Sequence, residues 1–450
     1  MKSKIFLSFL IVGGLLSAVS CKKTFWTDYN KNPQAPDSVN APLILPNVLS
    51  SMGYTQGGDM SRFSALFTQQ VVGANSQSQA YYNYVINAGV FDNLWPDYYT
   101  SVLLNNDTLM HLADRKGYNM YSGVSRIFMA YCLQVGVDLW GDLPYSQAFQ
   151  GDKNLKPTYD KQQGLYDTVA SLVHTGMAYI ANPNHGLFAP GADDQMYNGD
   201  SASWVYFGHA ILARLAIHQS KGNAAMAATA LQEIAQSFPE AKYTAKFIFS
   251  TSESAANPWY QFNEQRGGDE TFSDAPLIDR MTANNDPRVP IFTDPNTDLG
   301  AYYGSANSPV EFITYEELQY MAAEAVLRNG GSFVASQAFL TAAITANMTK
   351  LGVKGTDITT YIAAHGIMPT TSVNDAIAFI GNEEFTALYL NPEAWTVWRR
   401  LGVPALTPIT GNQIPRRLLY PQSEYSFNPA NVPVSVLNNT LFNPKIFWDN

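Results

Sequence analysis

The residues best equipped for catalysis are two pairs of adjacent acids, Glu316-Glu317 and Glu383-Glu384. Glycoside hydrolysis needs two carboxylates about 5 to 9 Å apart. Both pairs fall in stretches of helical periodicity, where adjacent acids more often form a solvated face or mark a helix start. A lipid-anchored hydrolase of glycans is therefore the weakest reading of the chain. In Asp294-Pro295-Asn296-Thr297-Asp298-Leu299-Gly300, oxygen ligands alternate at Asp294, Asn296 and Asp298, as they do at the start of a calcium loop. The central Gly and the distal Glu of such a loop are missing. An Asx-rich turn is the simpler reading, with calcium as the alternative. The six histidines are scattered, and His209 and His218 point to opposite faces of one helical stretch. No pair spacing or cysteine partner supports a transition-metal site. The chain lacks Gly-x-Ser-x-Gly, Gly-x-Gly-x-x-Gly, Gly-Lys-Ser/Thr and His-Glu-x-x-His motifs, so the expectation is a protein without catalysis and without a cofactor other than calcium.

A different chemistry is better represented. Asn75-Ser76-Gln77-Ser78-Gln79-Ala80-Tyr81-Tyr82-Asn83-Tyr84, then Trp95, Pro258-Trp259-Tyr260-Gln261 and Ala301-Tyr302-Tyr303-Gly304 set aromatic rings beside amides in loop-like sequence. Sugars present apolar C–H faces and hydroxyl edges, and a flat ring flanked by Asn, Gln, Asp or Arg matches both. The candidate ligand residues are Asn75, Tyr81, Tyr82, Tyr84, Trp95, Trp259, Tyr260, Tyr302 and Tyr303. Large aromatics in loops also pack down onto a helical body, and most of these are expected to do so, leaving two or three for a ligand. Arg266 is the candidate for a charged end if the ligand is a peptide.

Composition agrees with a neutral polar ligand. Only 14% of the 450 residues are charged, against about 25% in an ordinary domain, while 46% are hydrophobic and 13% aromatic. A net charge of −10 gives no electrostatic footprint for nucleic acid.

Lys2 and Lys4 precede the apolar run Ile5 to Leu16, and small residues then lead into Cys21. This is the pattern of a secretory signal peptide, too short to span a bilayer of about 30 Å. A cysteine directly after the cleavage site suggests a bacterial lipoprotein, with residues 1–20 removed and Cys21 acylated. Residues 21–41, rich in Asn and Pro, read as an extended tether. Cys132, inside an apolar run, reads as a small core residue.

Residues 42–450 read as a single, mainly α domain. Helices are predicted at about 42–52, 58–73, 92–115, 118–139, 161–180, 201–220, 223–237, 314–329, 333–350, 374–389 and 392–400. Several come in pairs of tetratricopeptide-like length, such as 314–350 with Asn329-Gly330-Gly331 at its turn. Long irregular loops lie between the pairs, with a few short β-hairpins such as one containing Lys246-Phe247-Ile248-Phe249.

Several motifs then appear in a fixed order. They are Asn30-Lys31-Asn32-Pro33 after Cys21, Asp138-Leu139-Trp140-Gly141-Asp142-Leu143-Pro144-Tyr145-Ser146, Pro157-Thr158-Tyr159-Asp160 and Trp204 through Arg214. Next come Asp286-Pro287-Arg288, Thr314-Tyr315-Glu316-Glu317, Ala323-Glu324-Ala325, Trp398-Arg399-Arg400 and Ile414-Pro415-Arg416-Arg417, closing with Tyr420-Pro421-Gln422-Ser423-Glu424. In this series the chain resembles the smaller branch of the SusD/RagB family of nutrient-binding outer-membrane lipoproteins. The resemblance implies a helical body with four tetratricopeptide-like pairs, lipid-anchored at the cell surface. It would cap a SusC-like TonB-dependent barrel and deliver an oligosaccharide, or in some members a peptide, for import. It also implies that the motif residues are scaffold, and the residues themselves fit that role, with Arg288, Arg399 and Arg416 reading as ion-pair anchors of long loops. Trp95, Tyr99 and Asn106 follow the family's spacing for the helix beside the glycan site, which makes Asn75 to Tyr84 the first choice for ligand contact.

Overall fold

From Ala41 onward, apolar residues three and four apart give the chain a series of sticky stripes, and folding buries each stripe against another. The computed structural model describes residues 40–182, 188–295 and 298–449. The signal sequence, Cys21, the tether up to residue 39, and Asn296 lie outside the described residues. Ala41 begins a single contact-defined body that continues through the rest of the chain.

The N-terminal part comprises α1 (Ala41–Thr55), α2 (Ser61–Phe67), α3 (Ser76–Tyr82) and α4 (Asn105–Lys116). Four helix-turn-helix pairs then form the frame. They are α5 (Asn119–Trp140) with α6 (Gln162–Ala181), and α7 (Ser201–His218) with α8 (Ala224–Ile234). After α9 (Pro258–Arg266) and α10 (Pro276–Ala283) come α11 (Tyr315–Arg328) with α12 (Phe333–Lys350). The last pair follows α13 (Gly355–His365) and consists of α14 (Val373–Ala387) with α15 (Glu393–Leu401). The fold is mainly α, with tetratricopeptide-like pairs, as the sequence implies. In the first pair, α5 and α6 cross on glycine: a Cβ at Gly123 would sit 2.7 Å from the Gly176 carbonyl oxygen.

Two predicted helices are interrupted. The one over 58–73 stops at Phe67, because Gln69 takes a left-handed φ of 58° and the chain enters β1 (Val72–Gly73). The one over 92–115 is a short turn at Leu94–Pro96, a π-helical stretch over Asp97–Leu104, and then α4. The strands are few and short. Besides β1 they are β2 (Ala245–Ile248), β3 (Glu270–Thr271), β4 (Thr293–Asp294), β5 (Asp298–Leu299) and β6 (Pro309–Ile313). They pair antiparallel as β1 with β3, β2 with β6, and β4 with β5. The strand at Lys246 is therefore not half of a local hairpin; Phe247 lies opposite Val310 on a distant segment.

The residues after α15 strap back across the frame. The Trp140 indole donates to the Leu419 carbonyl (3.1 Å), Tyr420 Oη to the Asp142 carbonyl (2.9 Å), and the Trp448 indole to Asp138 Oδ1 (3.0 Å). Arg416 pairs with Asp449, and Arg288 with Asp286 (2.7 Å) and Glu383 (3.2 Å), so both are ion-pair anchors. Arg399 differs: its guanidinium donates to the carbonyls of Asp138 (2.6 Å) and Arg416 (3.0 Å) and stacks over Trp395 at 4.2 Å. Among the described residues it has no ion-pair partner, and burial pulls its pKa down to about 10 against the pull of Asp449 and Asp138.

Candidate functional site

Two π-helical turns shape the surface next to α3. The first, Gln56–Met60, continues α1 into α2, and its Gly58 has non-helical angles (φ −91°, ψ −111°). Gly57 is required there because a Cβ would come within 2.3 Å of Val310 Cγ2. The second is Asp97–Leu104, packed along α1. Such turns carry one extra residue and re-aim side chains, which is why they recur at functional sites. Between them opens a groove of about 360 Å³, walled by Ser51 and Tyr54 of α1, Gly58 and Asp59 of the first turn, and Asp97 and Ser101 of the second.

At one end of the groove Asp59 accepts from Arg62 Nη2 (2.6 Å), and the Arg62 guanidinium lies over the Phe262 ring at 4.3 Å. The Asp59–Arg62 pair is close enough to act on the phenol of Tyr81, whose ring packs on Phe63 at 5.1 Å. The groove thus runs into the α3 face. Burial and the Asp59 charge together raise the Asp97 carboxyl above its ordinary value. Beneath α3, Glu270 is buried; one oxygen accepts from Ser78 Oγ (2.9 Å) and the other has no partner among the described residues. Burial lifts its pKa to about 7, with Arg62 pulling the other way.

The sequence-predicted residues divide. Asn75, Tyr81, Tyr82 and Tyr84 come together on and around α3. Asn75 Nδ2 donates to the Gly268 carbonyl (2.7 Å), which brings in the loop after α9, where Arg266 is exposed and pairs loosely with Asp269 (3.7 Å). Tyr81, Tyr82 and Tyr84 are half-buried, each with part of its ring available. Tyr260 is half-buried on α9.

Four aromatics are tied down instead. Trp259 is 3% exposed, with its indole N–H donated to Ser61 Oγ (2.9 Å), so it is a core residue. Trp95, at 6% exposure, lies in a cluster with Tyr99, Trp140, Tyr159 and Tyr420. Tyr302 donates to Glu311 Oε1 (3.1 Å), and Tyr303 packs edge-on against Phe292 and Tyr389. Trp95 and Trp259 fill the body rather than form a ligand plate, because indole rings bury large areas once a polar partner is in reach, whereas Tyr302 and Tyr303 are half-buried and line a small pocket beside Trp259.

The acid pairs are also structural. Glu317 closes a capping box with Thr314 at the start of α11, in line with the helix-start reading, yet Glu316, Glu317, Glu383 and Glu384 are all buried rather than solvated. Arg214 holds Glu317 (2.6 Å), Lys350 holds Glu316 (2.5 Å) and Arg288 holds Glu383. At the hairpin of β4 and β5, the Asp298 carboxylate accepts from the amides of Phe272 (2.8 Å) and Ser273 (2.9 Å), a clamp between two loops. Asp138, His218 and Glu393 form a buried cluster that spacing could not reveal. Both His218 nitrogens are engaged, by Tyr166 Oη (2.9 Å) and Glu393 Oε1 (2.8 Å), which makes the cluster a hydrogen-bonded tie between helices.

This frame and this surface have relatives. A family model described as starch-binding and associating with the outer membrane, of the SusD-like type, matches residues 33–308 and 301–421. The chain belongs to the SusD-like family.

Solved structures show the same fold. A SusD/RagB family protein from Bacteroides thetaiotaomicron is 21% identical to the SusD-like chain, with a TM-score of 0.74 over 92% of this chain and 99% of the other. A chitin-binding SusD homolog from Flavobacterium johnsoniae is 21% identical, with a TM-score of 0.73 over 91% and 98%. Another, described as a chitin-binding protein, is 22% identical, with a TM-score of 0.77 over 91% and 100%. A comparison with curated proteins gives no match. Among the described residues, no helix of this SusD-like protein is long and apolar enough to cross a membrane. Sequence reasoning missed Tyr54, Asp59, Arg62, Asp97 and Phe262. Only the i, i+3 spacing of Asp59 and Arg62 hinted at them, and the π turns that gather them have no periodic signature.

Proposed function

We propose that this SusD-like protein captures an oligosaccharide on the surface running from the Asp59–Asp97 groove to α3, without catalysis. It hands the ligand to a SusC-like TonB-dependent barrel in the outer membrane, to which the acylated Cys21 keeps it tethered on the cell surface. The observation that carries the reading is the groove itself. It offers the two carboxylates of Asp59 and Asp97 and the half-exposed ring of Tyr54, while Arg62, bonded to Asp59 and lying over Phe262, and the half-exposed Tyr81 lie beyond its lining. Membership in a family described as starch-binding supports the ligand class. All four acids first considered for hydrolysis are buried, and Glu316, Glu317 and Glu383 are held by Lys350, Arg214 and Arg288, which supports a reading without catalysis.

Calorimetric titration of the full chain with starch and chitin oligosaccharides tests this. Binding weakens about tenfold or more in Tyr81→Ala and Asp59→Asn, since a lost hydrogen bond that leaves its buried partner unpaired costs about 1–3 kcal/mol and an aromatic platform contributes comparably. Unchanged affinity in both folded variants overturns the site, and release of new reducing ends overturns the absence of catalysis. Saturable binding of a peptide but of no glycan, lost in Arg266→Ala, replaces the ligand class. Co-purification of a barrel in mild detergent tests the partner.

A further inference from the structure

Away from that groove, α10, α13 and α14 enclose a second cleft of about 410 Å³. Arg280, near the end of α10, lies in its wall. The guanidinium donates through Nη2 to Thr386 Oγ1 (3.3 Å), and its centre is 5.6 Å from the middle of the Phe385 ring. Among the described residues it has no ion-pair partner. Two acids, Asp286 and Glu383, line the same cleft, but Arg288 already holds both, and Glu383 also accepts from Tyr361 Oη (2.8 Å). Burial lowers the Arg280 pKa, and the attraction of Glu383 only partly offsets it. Cations drawn into a protein are ordinarily paired. Arg280 is not, and it borders an open cleft.

The rest of the lining is suited to a hydroxylated ring. His365 packs on Tyr361 (5.5 Å between ring centres) and has no hydrogen-bond partner among the described residues. Asn382 spends its Nδ2 on the Ala378 carbonyl (2.8 Å), which leaves Oδ1 to accept from a ligand. Asn284 is exposed at the mouth, and Phe379 and Ile367 supply apolar surface. Apart from Asn284, Asp286 and Ile367, the walls are helices whose main-chain groups are largely bonded internally, so the cleft has little with which to pair a peptide backbone. A guanidinium fork binds a carboxylate through two parallel N–H···O bonds, a geometry a neutral sugar cannot use.

We propose that this cleft is a second ligand site, selective for a sugar acid of the hexuronate class. Arg280 takes the carboxylate, Asn382 and His365 take ring hydroxyls, and Phe379 lies against the C–H face. The proposal does not depend on what the α3 face binds.

Ligand-observed NMR titration of the full chain with sodium D-glucuronate, and with D-glucose as the neutral counterpart, tests it. The wild type binds glucuronate saturably and more tightly than glucose. Arg280→Gln weakens glucuronate about 10- to 100-fold, the loss expected for a charge-assisted pair. Asn382→Asp keeps the side-chain shape, adds a like charge, and weakens glucuronate comparably; thermal melts verify that both variants are folded. Tyr81→Ala leaves glucuronate binding unchanged. The proposal is overturned by absence of saturable glucuronate binding, by affinity that survives both cleft substitutions, or by affinity lost in Tyr81→Ala.

Discussion

Glu324 on α11 is fully buried, and its carboxylate is the joint between the third and fourth helix pairs. Arg400 of α15 reaches it with both terminal nitrogens, at 2.8 and 2.9 Å, and Arg328 adds a third bond at 2.6 Å. Burial by itself would raise its pKa, but the two arginines overcome this and hold it at about 2, against an ordinary 4.5. Because the folded value lies below the unfolded one, the ionised pair contributes stability above pH 4.5 and loses it as pH falls toward 2. At about 1.4 kcal/mol for each tenfold change in proton affinity, the contribution at neutral pH is about 3 kcal/mol. Glu324→Gln keeps the shape and leaves Arg400 buried without its carboxylate, a change of the kind that costs about 3–5 kcal/mol. Urea unfolding of wild type and variant at pH 7.5 and pH 3 reads the effect. The gap between the two proteins is about 3 kcal/mol or more at pH 7.5 and shrinks by roughly half at pH 3, since the wild type alone carries the titrating group. A gap below about 1 kcal/mol at pH 7.5, or one that does not change with pH, refutes the reasoning.

Two further substitutions separate body from binding face. Trp259→Ala destabilises by about 3–5 kcal/mol in the same urea assay, as removal of a buried indole does, whereas Tyr82→Ala, half-exposed on α3, costs under about 2 kcal/mol; equal costs contradict the division made above. Glu270 has a folded pKa raised to about 7, so its contribution is present below pH 4.5 and is lost as pH rises through 7. Glu270→Gln is therefore expected to gain up to about 3 kcal/mol over wild type at pH 8 and almost nothing at pH 4, and unfolding curves that shift equally at both pH values contradict this.

Much of the frame could be read from periodicity because each paired helix buries a long stripe. α7 buries Trp204, Phe207, Ile211, Leu215 and Ile217, and no strand pattern competes with that spacing. α13 was missed because its three threonines are poor helix formers and only Ile358 and Tyr361 are buried. α9 and α10 were read as loop although each begins with Pro at its first turn, and α9 is capped by Asn257, start signals that composition obscured. The partner of β2 could not be read, since β6 lies beyond α9, α10 and three other strands. At the site, Trp259 and Tyr260 are neighbours in one aromatic-amide run, yet the first is buried and the second half-exposed. Residue type describes what a ring can bind, whereas the rotation of α9 about its axis decides which ring is offered.

The low charge of the chain acquires a specific meaning from where its arginines lie. Arg214, Arg288, Arg399, Arg400 and Arg417 are all buried. Three of them join segments far apart in sequence through carboxylates, Arg214 to Glu317, Arg288 to Glu383, and Arg400 to Glu324. Burying such pairs yields little net stability, because desolvation offsets most of the attraction. Breaking one is nonetheless costly, so each pair penalises any other register of the helices it joins. Arg214, Arg288, Glu317, Glu324 and Arg400, all within the motifs by which the chain resembles its family, are among these joints. They cannot also serve as ligand contacts, since their donors and acceptors are consumed inside the body. In the proposals above, recognition falls to the groove between the π turns, to α3 and to Arg280, which has no ion-pair partner among the described residues. On a surface this poor in charge, the proposed cleft would distinguish an acidic sugar from a neutral one through the Arg280 guanidinium.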